Sequence, residues 1–226
     1  MERETEPHDE VIALRAPAPQ ARQVLSELRG YWEGLRNGRL VPARADVDPR
    51  GIERALEYAF VLERVAPGMG RFRLSGMHLN DLMGMEVRGM PLTALFTAPA
   101  RQRIAELTET MFLDPAVVEV TLRAEAGIGK PPLTARLLML PLTSDLGDIS
   151  RALGCLVSEG DIGRAPRRFE VTGAEVAPIL QGLPMQRPAD PAQVTPQTLA
   201  APATAILDGL SPEERRAMFR VIRTGA

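Results

Sequence analysis

Two residue types that often carry chemistry are nearly missing from this chain of 226 residues, which has two histidines and a single cysteine. His78 stands among apolar neighbours, where a lone histidine is more typical of a core or surface position than of a ligand. His8 lies in an acidic leader. Cys155 lies in an apolar run, where cysteine behaves as a small inert hydrophobic residue. Neither type predicts a catalytic site.

A phosphate-binding loop is suggested by the segment Gly127-Ile128-Gly129-Lys130. That motif needs a glycine where this chain has Ala124, and a serine or threonine where it has Pro131. The segment also joins two strand-like runs and does not open a helix, so it lacks the aligned N–H groups that cradle phosphate. We interpret it as a hairpin loop.

Two pairs of carboxylates could serve a metal ion or acid–base chemistry: Asp46 with Asp48, and Asp145 with Asp148. Neither pair has a histidine or a third acidic residue nearby. Both stand at turns, where aspartate commonly accepts hydrogen bonds from backbone N–H groups. Capping is the favoured interpretation, and the chain is predicted to have no metal site and no enzymatic activity.

Composition excludes several classes of protein. A hydrophobic content of 45% and a charged content of 25% are typical of a globular fold. The net charge of −2 gives no reason to expect a nucleic acid partner. The basic residues are arginines apart from Lys130, which we ascribe to a GC-rich coding sequence. No transmembrane segment or signal peptide is evident, and one unpaired cysteine suits a reducing compartment, so a cytoplasmic location is predicted.

An amphipathic helix is predicted over Pro19–Arg36, after a flexible leader at 1–18. Its apolar residues recur at steps of three and four, which places them along one stripe. The only tryptophan of the chain lies on this stripe. We expect the stripe to pack on its own domain or on a partner, and the candidate interaction residues are Leu28, Tyr31, Trp32 and Leu35.

The remaining pattern predicts an α+β order, with two strands, a helical region and then a three-strand meander. A short helix opens at Asp48-Pro49 and runs through Leu56, and the main internal helix spans Pro99–Leu113. The predicted strands are Tyr58–Val65, Arg71–Ser75, Ala116–Glu125, Leu133–Leu142 and Ser150–Ser158, with Arg168–Thr172 as one further candidate.

The last part of the chain, 161–226, is predicted to be an extension of the domain at 19–160. The stretch from Pro178 to Pro202 is rich in Pro, Ala, Gln and Thr and is typical of a mobile linker. A short helix is predicted to begin at Ser211, because Ser211-Pro212-Glu213-Glu214 combines a serine N-cap, proline at the first helical position and a capping box.

The order of these elements resembles a PAS domain, and more narrowly a PAS-like family of small, nearly stand-alone proteins common in alphaproteobacteria. The match covers about residues 28–158. It rests on the segments Tyr31-Trp32 with Leu35, Pro42-Ala43-Arg44-Ala45-Asp46-Val47-Asp48-Pro49, Arg71-Phe72-Arg73-Leu74-Ser75-Gly76, Leu82-Met83-Gly84 with Gly89, Leu140-Pro141-Leu142, and Arg151-Ala152-Leu153-Gly154.

The resemblance implies a curved antiparallel sheet of about five strands with helices on one face, in a protein that senses a small molecule or binds other proteins. Haem-binding PAS domains usually carry their histidine on the long connecting helix, which has none here. The Asn-Cys-Arg motif of flavin-binding light sensors is also absent. The cofactor is therefore left unknown.

Two functions follow from the resemblance. In the first, a sensory and regulatory protein binds a small apolar ligand and signals through a protein partner. The expected pocket residues are Phe60, Phe72, Met77, Met83, Phe96, Met111, Met139 and Cys155. In the second, the core is filled and the domain is a dimerisation or interaction module. Both expect an unidentified signalling partner, and the chain is predicted to form a homodimer through its leading helix.

Overall fold

The computed structural model describes residues 19–180, which fall within one compact unit. The predicted leader at 1–18, the linker beyond residue 180 and the helix from Ser211 lie outside these residues. The chain enters the fold through helix α1 (Pro19–Arg36), whose bounds match the prediction. A short 3₁₀ helix follows at Pro49–Ile52, where the Asp48 side chain accepts a hydrogen bond from the Arg50 N–H. This helix is shorter than the predicted one, which reached Leu56.

A six-stranded antiparallel sheet forms the centre of the fold, in the order β2-β1-β5-β4-β3-β6. Its first hairpin lies beside the later meander because β1 pairs with β5. The PAS-like α+β fold is thus confirmed, with one strand more than the five expected. The strands are β1 (Ala59–Ala66), β2 (Met69–Ser75), β3 (Ala116–Ala124), β4 (Thr134–Thr143), β5 (Ile149–Glu159) and β6 (Phe169–Pro178).

One face of the sheet, the inner face, is covered by helix α2 (Met77–Met83), a 3₁₀ helix (Leu92–Leu95) and helix α3 (Ala98–Leu113). Gly84 ends α2 with a φ of 69°, a left-handed conformation that glycine adopts without a side-chain clash. The buried residues between these helices and the sheet form one apolar cluster, here called the inner core. Ile104 and Leu107 of α3 belong to it.

The opposite face, the outer face, is covered by α1 over β4 and β5. The stripe of α1 packs there with Val41, Leu140 and Leu153 in a second buried cluster, the outer core. Alternation along each strand divides the apolar residues between the two cores, since successive side chains point to opposite faces. In β5, for example, Ala152 and Leu156 belong to the inner core, whereas Leu153 and Val157 belong to the outer core.

Candidate functional site

Six of the eight predicted pocket residues come together in the inner core: Phe60, Phe72, Met83, Phe96, Met111 and Met139. Each of the six side chains is at most 4% exposed. The rings of Phe60 and Phe72 meet edge to face, with 5.4 Å between their centroids. These residues lie on strands β1, β2 and β4, on helices α2 and α3 and, for Phe96, directly after the 3₁₀ helix, so the fold assembles the group from distant parts of the chain. That the group lines a ligand pocket stays a prediction.

The other two predicted pocket residues lie elsewhere. Cys155 belongs to the outer core, because its neighbour Gly154 pairs with Met139 and Cys155 itself pairs with Leu138. The Met77 side chain is 63% exposed at the start of α2. The predicted set of eight is therefore divided by the sheet, and Cys155 and Met77 do not share a space with the other six.

Cys155 is fully buried and free. Burial in apolar surroundings raises the pKa of its thiol well above the ordinary value, since a thiolate would be poorly solvated there. A thiol without thiolate character is a poor nucleophile and a poor metal ligand. This agrees with its interpretation as a core residue.

His78 is also buried, with 8% of its surface exposed. Its ring meets the ring of Tyr58 edge to face at 4.9 Å. The Ser158 backbone N–H donates to its Nε2 at 3.3 Å, which requires this nitrogen to be unprotonated. Burial lowers the pKa of His78, and Glu57 and Asp81 oppose this effect. This arrangement favours the neutral form of His78, with Nε2 as an acceptor.

The four predicted interaction residues of α1 mostly pack on, or hydrogen-bond to, other residues of the same chain. Leu28 and Trp32 have no exposed surface, and the Trp32 indole N–H donates to the Pro141 carbonyl oxygen at 2.9 Å. Tyr31 is half-buried, and its hydroxyl bonds to both backbone groups of Asp48. Leu35 is half-buried as well. The stripe packs on its own sheet, which was one of the two expected possibilities.

A group of arginines that sequence reasoning did not single out lies on the outer face, beside β1 and β2. Arg44, Arg73, Arg88 and Arg151 line a cleft of about 570 Å³ together with one acidic residue, Glu63. Arg73 and Arg151 both form ion pairs with Glu63, whose carboxylate lies between them. We call this space the arginine cleft. Arg44, Arg73 and Arg151 fall in segments that carry the PAS resemblance, and this was the signal in the sequence that could have identified them.

An apolar cleft of about 250 Å³ adjoins the arginine cleft and shares Arg44, Val61 and Leu74 with it. Its other walls include Ile52 and Leu153. Leu74 is 46% exposed, because α1 covers β4 and β5 and leaves this end of the outer face open. Cationic and apolar surfaces thus lie side by side.

Among the described residues no group of three or more His, Cys, Asp and Glu side chains could hold a metal ion. Within 19–180, no helix is both long and apolar enough to cross a membrane.

Arg167 is fully buried, and its guanidinium donates to the carbonyl oxygens of Ile162, Glu125 and Pro131. These bonds join the β3–β4 loop to the β5–β6 loop, which is a structural role.

Comparison with known proteins identifies the family of the chain. A family model described as "PAS domain" matches residues 21–157. No curated protein matches the chain. Among solved structures, the light-state structure of the blue-light photoreceptor Aureochrome1 LOV is similar over 50% of this chain and 88% of its own, with 11% identity and a TM-score of 0.34. Since the family model spans more than half of the sequence, the chain belongs to the PAS domain family.

Proposed function

We propose that this chain is a non-enzymatic regulatory protein whose PAS domain acts through a protein partner and whose inner core is filled by its own side chains. One observation carries this proposal. The six predicted pocket residues of the inner core are buried against each other and against α3 and the sheet. A core of this kind stabilises the domain and leaves its surfaces to make contacts with other proteins.

A second candidate is the ligand-sensing version of the same module, favoured by three methionines in the inner core, Met83, Met111 and Met139. Methionine has an unbranched, pliable side chain, and a lining rich in methionine can repack around a small apolar molecule. In this version occupancy would shift α1 or the tail, because a ligand moves an equilibrium only when it binds two states unequally.

Native mass spectrometry of the protein purified from its own host separates the two. The filled-core proposal expects the chain without added mass, alone or with a partner protein. An additional small mass that is lost on denaturation would overturn the filled core and favour the sensor.

A pair of tryptophan substitutions locates any such ligand. Met111→Trp adds bulk to the inner core, so it should displace a ligand held there. In a filled core the same change overpacks the site and costs about 1–3 kcal/mol of stability. Met85→Trp is the matched control, because Met85 is 56% exposed. A small molecule that binds equally well to both variants does not bind in the inner core.

The homodimer through α1 also remains a proposal. Because Leu28 and Trp32 are buried on the sheet of their own chain, a dimer that uses them would exchange α1 between two protomers. Mixed ¹⁴N- and ¹⁵N-labelled protein tests this by cross-linking α1 to β4. Cross-linked pairs that combine both isotopes support the exchange. If every cross-linked pair contains one isotope alone, the exchange is contradicted.

We propose a cytoplasmic location for this protein, on the basis of its single free cysteine.

A further inference from the structure

The arginine cleft carries more positive charge than its own contacts neutralise. Four guanidinium groups line it and Glu63 is the only carboxylate in the lining. Glu63 is only 17% exposed at its side chain and is already shared by Arg73 and Arg151. The shared carboxylate joins β1, β2 and β5, so a purely structural role accounts for two of the four arginines.

The other two arginines have no acidic partner among residues 19–180. Arg88 donates through Nε to the Arg73 carbonyl oxygen at 3.1 Å, and Arg44 makes no side-chain hydrogen bond or ion pair with any described residue. The acidic residues next to Arg44 in sequence are engaged elsewhere: Asp46 binds Arg39 at 2.5 Å, and Asp48 accepts from the Arg50 N–H at 3.0 Å. Arg44 is half-buried and lines the cleft.

The position of Arg44 decides what kind of anion would fit. Arg44, Val61 and Leu74 line both clefts, so a cationic group stands where the apolar cleft opens into the arginine cleft. Guanidinium groups bind carboxylates and phosphates through paired hydrogen bonds. The apolar cleft favours a hydrocarbon group over water, because the burial of apolar surface is favourable.

We propose that the two clefts form one binding site for a small amphipathic anion, a carboxylate or phosphate attached to a short apolar group. The anionic group binds Arg44 and Arg88, and the apolar group packs on Val61 and Leu74. This site lies on the outer face of the sheet, so it does not depend on whether the inner core is filled.

The test is a titration of the full chain with octanoate and octyl phosphate, each below its micelle concentration, followed by calorimetry and backbone amide NMR. At least one of the two should bind and shift the amide signals of Leu74 and Gly89. Neutral octanol and inorganic phosphate should each bind at least about tenfold more weakly, since each lacks one half of the recognition. If neither anion binds, or if inorganic phosphate binds as well as octyl phosphate, the proposal is wrong.

Substitutions localise the site. Arg44→Gln should weaken binding about tenfold, the amount expected for one charge-assisted hydrogen bond. Arg50→Gln is the matched control and should bind normally, because Arg50 is 92% exposed at its side chain and lies outside both clefts. Thermal unfolding checks that each variant folds, and Arg88→Gln replaces Arg44→Gln if the latter does not. Unchanged affinity in the folded variant overturns the proposal. NMR shifts confined to the methyl signals of Met83 and Met111 also overturn it, because they would place the ligand in the inner core.

Discussion

The indole N–H of Trp32 in α1 donates a buried hydrogen bond of 2.9 Å to the carbonyl oxygen of Pro141 in β4. Pro141 lies near the C-terminal end of β4, where it pairs with Ala152 of β5. This polar contact joins α1 to the sheet within a buried layer made mainly of apolar side chains. A buried donor and acceptor that satisfy each other in this way specify one arrangement of the helix.

The first prediction concerns this bond. Trp32→Phe keeps an aromatic ring but leaves the Pro141 carbonyl without its donor, so the free energy of unfolding should fall by about 1–3 kcal/mol. Urea unfolding measures the change. Arg22→Ala, an exposed substitution on the same helix, should stay within about 0.5 kcal/mol of the wild type. A Trp32→Phe protein as stable as the control would show that the bond does not hold α1 in place.

The second prediction concerns Glu109 of α3, which links the helix to the β1–β2 hairpin. Its carboxylate accepts from Arg64 at 2.5 and 3.1 Å and from the Gly68 N–H at 2.7 Å. The hydrogen bond from Arg64 is the main reason that the pKa of Glu109 is lowered, against a smaller opposing effect of burial. Glu109→Gln should cost about 1–2 kcal/mol at pH 7.

The pH dependence of that cost has a definite sign. Because the folded pKa lies below the unfolded value of about 4.3, the unfolded chain binds more protons between the two values. The stabilisation is complete above the unfolded value and is lost as the pH falls through the folded pKa. The difference between wild type and Glu109→Gln should therefore shrink between pH 5 and pH 3. Glu106→Gln, on the exposed side of α3, is the control for removing a carboxylate from this helix, and at pH 7 it should cost less stability than Glu109→Gln.

The third prediction compares two glycines: replacement by alanine should lower the stability of the protein at one and raise it at the other. A Cβ atom on Gly154 would lie 2.4 Å from the Phe60 ring and 2.5 Å from the Leu138 carbonyl oxygen, so Gly154→Ala should destabilise the protein by about 1–3 kcal/mol or more. A Cβ atom on Gly30 of α1 would meet nothing within 4 Å. Gly30→Ala should raise stability by about 0.5–1 kcal/mol, because alanine favours the helix. Equal effects in thermal unfolding would contradict the packing around Gly154.

His78 gives the fourth prediction. Its folded pKa is lowered by burial, so below the unfolded value of about 6.5 the unfolded chain takes up a proton that the folded chain does not. Stability should thus decrease as the pH falls from about 7 towards 5. His78→Gln should remove this part of the pH dependence in urea unfolding, whereas His8→Gln should retain it. A pH profile that is the same for all three proteins would mean that His78 is not buried in its neutral form.

Much of the fold could be predicted because local residue patterns indicate where its helices and strands lie. The spacing of Leu28 and Trp32 gave α1 its correct bounds, and alternation with glycine-rich turns located β1 to β5. The last strand was predicted too short, at Arg168–Thr172. Its second half contains Gly173 and Pro178 and is largely exposed at the edge of the sheet, so it has neither strong strand propensity nor a buried alternation.

The candidate sites were less predictable, because they depend on which strands meet. Cys155 and Met139 both stand in apolar strands, and only the register of β4 against β5 reveals that their side chains point to opposite faces. Likewise, Arg44, Arg88 and Arg151 are far apart in sequence. Arg151 reaches the cleft because β5 pairs with β1, Arg44 because its neighbour Ala43 bridges Thr143 of β4, and Arg88 because the adjacent Gly89 N–H donates to the Phe72 carbonyl oxygen of β2.

During synthesis, α1 is made well before the strand on which it packs. The residues joined by the Trp32–Pro141 bond are 109 positions apart. At the usual elongation rates of about 5–20 residues per second, α1 waits roughly 5–20 seconds on the ribosome before the strand that receives it has been made. During that interval its apolar stripe does not yet have β4 and β5 of its own domain to pack on. Chains that terminate before β4 should therefore aggregate. The synthesis of the late strands, and not of the helix, determines when the apolar stripe of the nascent domain can be buried.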